Sequence, residues 1–219
     1  MIKKAFKGVI FDLDGTLADT LDDIAGSMNR ILNSHGYPSR PVNDYKLLVG
    51  KGLDNLVKQA LPEVARQPGI INTCLHELII DYDENCLVKT HLYNGIPELL
   101  NELTNRNVKQ AVFSNKAEPL TIKIVSHLLP DIPFVKISGA RPDIPKKPDP
   151  AGALEISKIM KIKSDELVYM GDSDVDMLTA GNAGMFAVGV SWGFRSRKEL
   201  LNNGAAIIID APRQILELF

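Results

Sequence analysis

At 219 residues, 45% of them hydrophobic, the chain is long enough for one large domain or for a core with a smaller accessory domain. Its 25 basic and 27 acidic residues leave a net charge of -2, which excludes the broad positive footprint of a nucleic-acid or anionic-membrane binder and makes any charge chemistry local. The start MIKKAFKGVIFDLDG has no apolar stretch long enough for a signal peptide, no run reaches transmembrane length, and Cys74 and Cys86 are too few for a disulfide scaffold, so reduced thiols in cytoplasm are expected.

In chain order, Val9, Ile10 and Phe11 read as a short strand that ends at once in two acids, Asp12 and Asp14. From about Leu17 to His91 the spacing is helical with no convincing strand. LDDIAGSMNRILNSHG repeats apolar residues at Leu21, Ile24, Met28, Ile31 and Leu32 before a stop at Gly36, and DNLVKQAL and INTCLHELIIDYDENCL continue the pattern. Beyond residue 92 strands and helices alternate. Ile96 to Leu103 is helical, VKQAVFS a strand, PLTIKIVSHLL helical, PFVKISG a strand and PAGALEISKIMKI helical. ELVYMGD, FAVGVSW and AAIIID follow as strands, separated by helical DMLTAGNAG and RKELLNNG. This alternation predicts an α/β fold: a Rossmann-like parallel sheet flanked by helices, formed by residues 1–16 and 92–219, with residues 17–91 inserted after the first strand as a smaller all-helical cap.

Ligands of doubly wound sheets sit beyond the carboxyl ends of the strands, so the residues after each strand are the informative ones. They are Asp12, Asp14 and Thr16; Ser114 and Asn115; Lys146 and Lys147; and Asp172, Ser173, Asp174 and Asp176. In an extended segment residues two apart face the same side, so Asp12 and Asp14 are expected to converge on one positive group. A divalent cation on Asp12, Asp172 and a carbonyl would offset their repulsion, and oxygen-only ligands favour Mg²⁺. A Ser hydroxyl and a Lys beside it make a phosphate pocket. His35, His76, His91 and His127 include no pair at ligand spacing, which speaks against zinc. Singly, each residue has a plainer reading: Asp14 as a turn residue before Gly15, Ser114 as a strand-end hydroxyl, Asp172 with Ser173 as a helix cap, Asp174 as a solvent-facing helix-start acid.

DLDGT, FSN, KKPDP and GDSDVDM, in that order and each at a strand end, resemble the four motifs of the haloacid dehalogenase superfamily of phosphohydrolases. The resemblance implies Asp12 as nucleophile, forming an aspartyl-phosphate, and Asp14 as the general acid and then base. It implies Ser114, with Asn115 beside it, and Lys147 as holders of the phosphoryl oxygens. Mg²⁺ would be held by Asp12, Asp14 through its backbone carbonyl, and Asp172, with Asp176 outside them holding a metal water or Lys147. Lys147 is chosen over Lys146 because the family places its lysine directly before the proline.

The inserted helices would then close over the site and exclude water. In LLVGKGLDNLV, Gly50 and Gly52 flank Lys51 ahead of a helix, which resembles the glycine-rich cap loop of phosphoglycolate phosphatases; an ordinary helix-to-helix turn with an exposed lysine is the plainer reading. VSWGFRSRKELLNNGA resembles the segment after the fifth core strand in the same group. The expected substrate is a small phosphomonoester, 2-phosphoglycolate first, with Gly50 and Lys51 selecting its carboxylate. Pyrophosphate, nucleotides, sugar phosphates and a phosphomutase reaction stay open, as does a non-catalytic binding protein on the same fold. No nucleic-acid or membrane partner is expected, and the protein is expected to be a monomer or homodimer.

Overall fold

A computed structural model describes residues 6–219; the first five residues, which the expected core range includes, lie outside it. Gly8–Phe11 (β1) is hydrogen-bonded in parallel to Lys109–Ala117 (β4) on one side and Leu167–Gly171 (β6) on the other. Lys136–Ala140 (β5), Phe186–Val190 (β7) and Ile207–Ile209 (β8) complete a six-stranded sheet, every pair parallel, in the order β5-β4-β1-β6-β7-β8. The run Val9-Ile10-Phe11 is apolar on both sides because β1 is central: Val9 and Phe11 pack into one core cluster and Ile10 into the other.

One face is covered by Ile96–Asn105 (α4) and Glu118–Leu128 (α5), through Leu99, Leu103, Leu120 and Ile124. The other is covered by Ala151–Met160 (α6), Asp174–Ala183 (α7) and the short Arg197–Asn202 (α8), through Ile156, Met160, Met177 and Leu200. Each strand and helix expected beyond residue 92 is present.

Leu21–Ser34 (α1), Leu53–Ala60 (α2) and Pro68–Asn85 (α3) pack on one another, joined by short 3-10 turns at Val42–Leu47 and Glu63–Ala65. Their inward residues Ile24, Met28, Leu56, Leu78 and Tyr82 belong to the same apolar cluster as Val9 and Phe11, so the apolar core runs on from the sheet into the helical layer. The expectation that no strand lies between residues 17 and 91 is corrected at its edges. Ala18–Asp19 (β2) pairs antiparallel with His91–Leu92 (β3), bringing the two ends of the helical layer together. A two-residue ladder has no period for a sequence pattern to reveal. Nearby, buried Asp23 of α1 accepts hydrogen bonds from the backbone N–H groups of Lys89 (3.0 and 2.9 Å) and Thr90 (2.8 Å), pinning the return strand. Cys74 and Cys86 are buried free thiols. Among the described residues no helix is long and apolar enough to cross a membrane.

Candidate active site

The carboxyl ends of β1, β4 and β6 and the loop after β5 meet beneath the helical layer. Asp12 leaves β1 with its N–H still donating to Met170 O (2.9 Å), which fixes its backbone on the sheet edge. Its Oδ1 accepts from Lys147 Nζ at 2.8 Å. That ammonium also donates to Asp176 Oδ1 at 2.7 Å and Phe113 O at 3.2 Å, so its three donors are committed. Asp176 is placed by the start of α7, where Ser173 is the N-cap: Asp176 N–H donates to Ser173 Oγ, and Asp176 Oδ2 accepts from Ser173 N–H and O–H. The helix-cap and functional readings of this stretch therefore coexist.

Asp172 completes the cluster. Its Oδ2 accepts from Phe194 N–H at 2.7 Å, and a Cβ on Gly15 or Gly193 would fall 2.2 Å from Asp172 Oδ2 or Cβ respectively. Gly15 also holds φ at +82°, so the DLDGT glycine answers both a backbone and a space requirement. Asp12, Asp172 and Asp176 are all buried, and their oxygens lie within 4.8 Å of one another. Burial, then the carboxylate of Asp176, push Asp12 up to about 7 against the pull of Lys147. Burial with Asp176 and Asp12 raises Asp172 well above the usual carboxylate range. Burial opposes the charge on Lys147, but Asp12 and Asp176 outweigh it and raise its pKa. Three carboxylates against one ammonium leave a deficit of positive charge that a divalent cation would fill, and an all-oxygen donor set fits Mg²⁺. The residues present thus fit the metal, and Asp12 and Asp172 would be its carboxylate ligands.

Asp12 and Asp14 both line the pocket, but they do not share one positive group as the two-residue spacing suggested. The chain turns after Leu13, whose carbonyl accepts from Leu17 and Ala18 N–H, and the Asp14 carboxylate turns to a different cation. Asp14 Oδ1 lies 2.7 Å from Lys116 Nζ and accepts from Thr20 Oγ1 at 2.6 Å. Lys116 Nζ in turn donates to the buried phenol Oη of Tyr82, on α3, at 2.6 Å, and its pKa is raised because Asp14 and Tyr82 outweigh its burial. Sequence reasoning missed Lys116, Tyr82 and Thr20. The only signal for Lys116 was a charge placed directly after FSN inside an otherwise buried strand.

Ser114 is buried and lines the pocket, its Oγ accepting from Lys116 N–H at 3.2 Å and its own O–H without a protein acceptor among the described residues. The Asn115 amide is committed elsewhere: Nδ2 donates to Gly50 O and Lys147 O (both 3.0 Å), and Oδ1 accepts from Lys147 N–H (2.8 Å). Asn115 is a strut between the helical layer and the loop carrying Lys147.

Gly50 and Gly52 enter the pocket wall by their backbone, at φ of +112° and +92°. Lys51 does not: its side chain is 56% exposed and reaches Asp174 Oδ2 at 3.8 Å. Lys146 likewise points outward, to Asp54 of α2 at 2.5 Å. Arg195, buried in the VSWGFRS segment, donates to the carbonyls of Lys46, Leu47 and Val49 and so holds the loop that leads to Gly50. The pocket between the helical layer and the strand ends is partly open to solvent. Ile24, Val49, Leu53 and Leu56 form its apolar side, and Asp12, Asp14, Ser114, Lys116 and Lys147 its polar side.

The chain is similar to known proteins along most of its length. A phosphoglycolate phosphatase of Vibrio parahaemolyticus is 27% identical over 100% of this chain and 98% of its own length. One of Pseudomonas syringae pv. tomato is 28% identical over 96% of this chain and 78% of its own. The crystal structure of a provisionally named phosphoglycolate phosphatase from Lactobacillus delbrueckii subsp. bulgaricus superposes with a TM-score of 0.92 at 31% identity, covering 97% of this chain and 98% of that one. Residues 9–190 match the model of the haloacid dehalogenase-like hydrolases, a span that takes in all four strand-end motifs, and the chain belongs to that family.

Proposed function

We propose that the protein is a Mg²⁺-dependent phosphatase that hydrolyses a small phosphomonoester, 2-phosphoglycolate, through an aspartyl-phosphate on Asp12. The observation that carries this reading is the buried cluster of Asp12, Asp172 and Asp176 around Lys147, with Asp14 on a second cation next to it. Bound Mg²⁺ would supply charge neutralisation for the phosphoryl group and the nucleophile.

The chain's own residues do the rest. Asp12 attacks phosphorus as its P–O ester bond breaks, and Asp14 gives a proton to the departing alkoxide. Water then attacks the phosphorus of the acyl phosphate, Asp14 takes its proton, and Asp12 is released with inorganic phosphate. Lys147 holds its charge against Asp12, easing the approach of an anionic ester, and the Ser114 O–H is free for a phosphoryl oxygen. Residues 17–91 serve as the cap, shielding the acyl phosphate from bulk solvent.

Two findings favour a short ester. The three phosphoglycolate phosphatases named above match along nearly the whole chain. The side chains of Ile24, Val49, Leu53 and Leu56 offer no polar partner to the remainder of a long sugar or nucleotide ester. Phosphate release from 2-phosphoglycolate, nucleotides, pyrophosphate and sugar phosphates, each with Mg²⁺ and with EDTA, tests the reading. Metal-dependent release fastest from 2-phosphoglycolate is expected; preference for another ester removes the substrate assignment, and no release at all removes the catalytic one.

A further inference from the structure

Two ammonium groups line the pocket, and their free bonding capacity differs. Lys147 has all three donors on Asp12, Asp176 and Phe113 O. Lys116, with a side chain only 2% exposed, has two partners, Asp14 Oδ1 and Tyr82 Oη, so one N–H remains for a ligand. The side chains of Ile24, Leu53 and Leu56 in the same lining offer nothing to an anion, and the Asn115 amide is committed to Gly50 and Lys147. Lys51, the other lysine in reach by sequence, lies on the outside against Asp174.

From this geometry, and resting on the proposed phosphatase reaction, we infer that Lys116 is the specificity-determining residue that receives the carboxylate of the substrate. Asp14 Oδ1 is held by Thr20 and Lys116, which leaves Oδ2 to meet the leaving oxygen. An ammonium 2.7 Å from the acid that protonates that oxygen stands beside whatever the oxygen's carbon carries. In a 2-phosphooxy acid the carboxylate carbon is two bonds from the leaving oxygen, so its oxygens arrive at the spare donor of Lys116. A carboxylate one carbon further along would overshoot it. The substrate class is therefore the short esters of α-hydroxy acids, and the charge of Lys116 pairs with Asp14 before binding and is shared with the substrate afterwards.

The test compares three esters that differ at one end only: 2-phosphoglycolate, the neutral 2-hydroxyethyl phosphate and O-phospho-3-hydroxypropionate. The wild-type enzyme should favour 2-phosphoglycolate over the neutral ester by about tenfold or more in kcat/KM, the size of a buried charge-assisted hydrogen bond. Lys116→Gln will slow all three, because Asp14 loses its partner, but it should in addition cut the preference for 2-phosphoglycolate by about tenfold. Equal losses on the charged and neutral esters would overturn the inference and leave Lys116 as a support for Asp14. Should the buried amide prevent folding, Lys116→Arg keeps the charge and pushes it further into the pocket; it should alter the ratio of the two-carbon to the three-carbon acid by about threefold or more, and an unchanged ratio overturns the inference. A wild-type enzyme that hydrolyses the neutral ester as well as 2-phosphoglycolate would overturn the substrate assignment itself, whereas a wild-type preference that survives Lys116→Gln would overturn only the role of Lys116.

Discussion

Two buried carboxylate–lysine pairs stand side by side in this protein and do opposite things. Asp12 with Lys147 and Asp14 with Lys116 have nearly the same separation, 2.8 and 2.7 Å, and all four side chains are at most 10% exposed. The first pair sits among Asp172 and Asp176, so its neighbourhood is short of positive charge. The second is balanced, and its remaining partners, Thr20 at the start of α1 and Tyr82 on α3, belong to the helical layer. In the proposed reaction the first pair takes up a cation and a phosphoryl group, and the second ties Asp14, the proposed acid–base group, to the helical layer. Distance alone would not separate them. The charge around each pair does.

The largest expected effect breaks the first pair at its reacting atom. Asp12→Asn should lower phosphate release by more than about 10⁴-fold while the far-ultraviolet circular dichroism is unchanged; substantial remaining turnover would remove Asp12 as nucleophile. Lys147→Met takes the only ammonium from three buried acids and should destabilise the fold by about 3–5 kcal/mol in EDTA, read as a lower urea midpoint. Mg²⁺ should restore part of that loss, and a variant indifferent to Mg²⁺ would show that the cluster does not hold the metal.

The same charge deficit sets a pH dependence. Asp12, pushed up to about 7 in the folded protein, binds its proton more tightly there than in the unfolded chain, so its contribution to stability is fully present at low pH and is lost as pH rises from about 4 towards 7. Thermal melts in EDTA should show this decline, and Mg²⁺ should flatten it; a rise of stability over that window in EDTA would contradict the unbalanced cluster. The smallest effect is expected outside both pairs. Lys51→Ala removes an exposed contact at 3.8 Å and should move KM for 2-phosphoglycolate by less than about twofold, with stability changed by under about 0.5 kcal/mol. A large selective rise in KM would bring Lys51 into the substrate site.

The architecture was legible because it is written in local patterns. Alternating strand and helix periods from Ile96 to Ile209 are imposed by burial on both faces of a parallel sheet, and the strand-end residues Asp12, Ser114, Lys147 and Asp172 meet because such a sheet brings its carboxyl ends to one edge. The choice of Lys147 over Lys146 came from the motif, and in the structure one lysine points to Asp12 and the other to Asp54.

What the sequence by itself determined is therefore the chemical inventory and the edge on which it gathers. The tertiary structure alone decided the pairing. A turn after Leu13 gives the Asp14 carboxylate a different partner from Asp12, a buried lysine on β4 receives it, and a tyrosine 34 residues before that lysine, in the helical layer, completes the contact. No periodicity encodes such partners, because a side chain's direction at a strand end depends on the turn that follows and its electrostatic partner on elements packed from elsewhere in the chain. For the same reason Lys51 and Lys116, alike as letters beside glycine or asparagine, end up on opposite sides of the pocket wall.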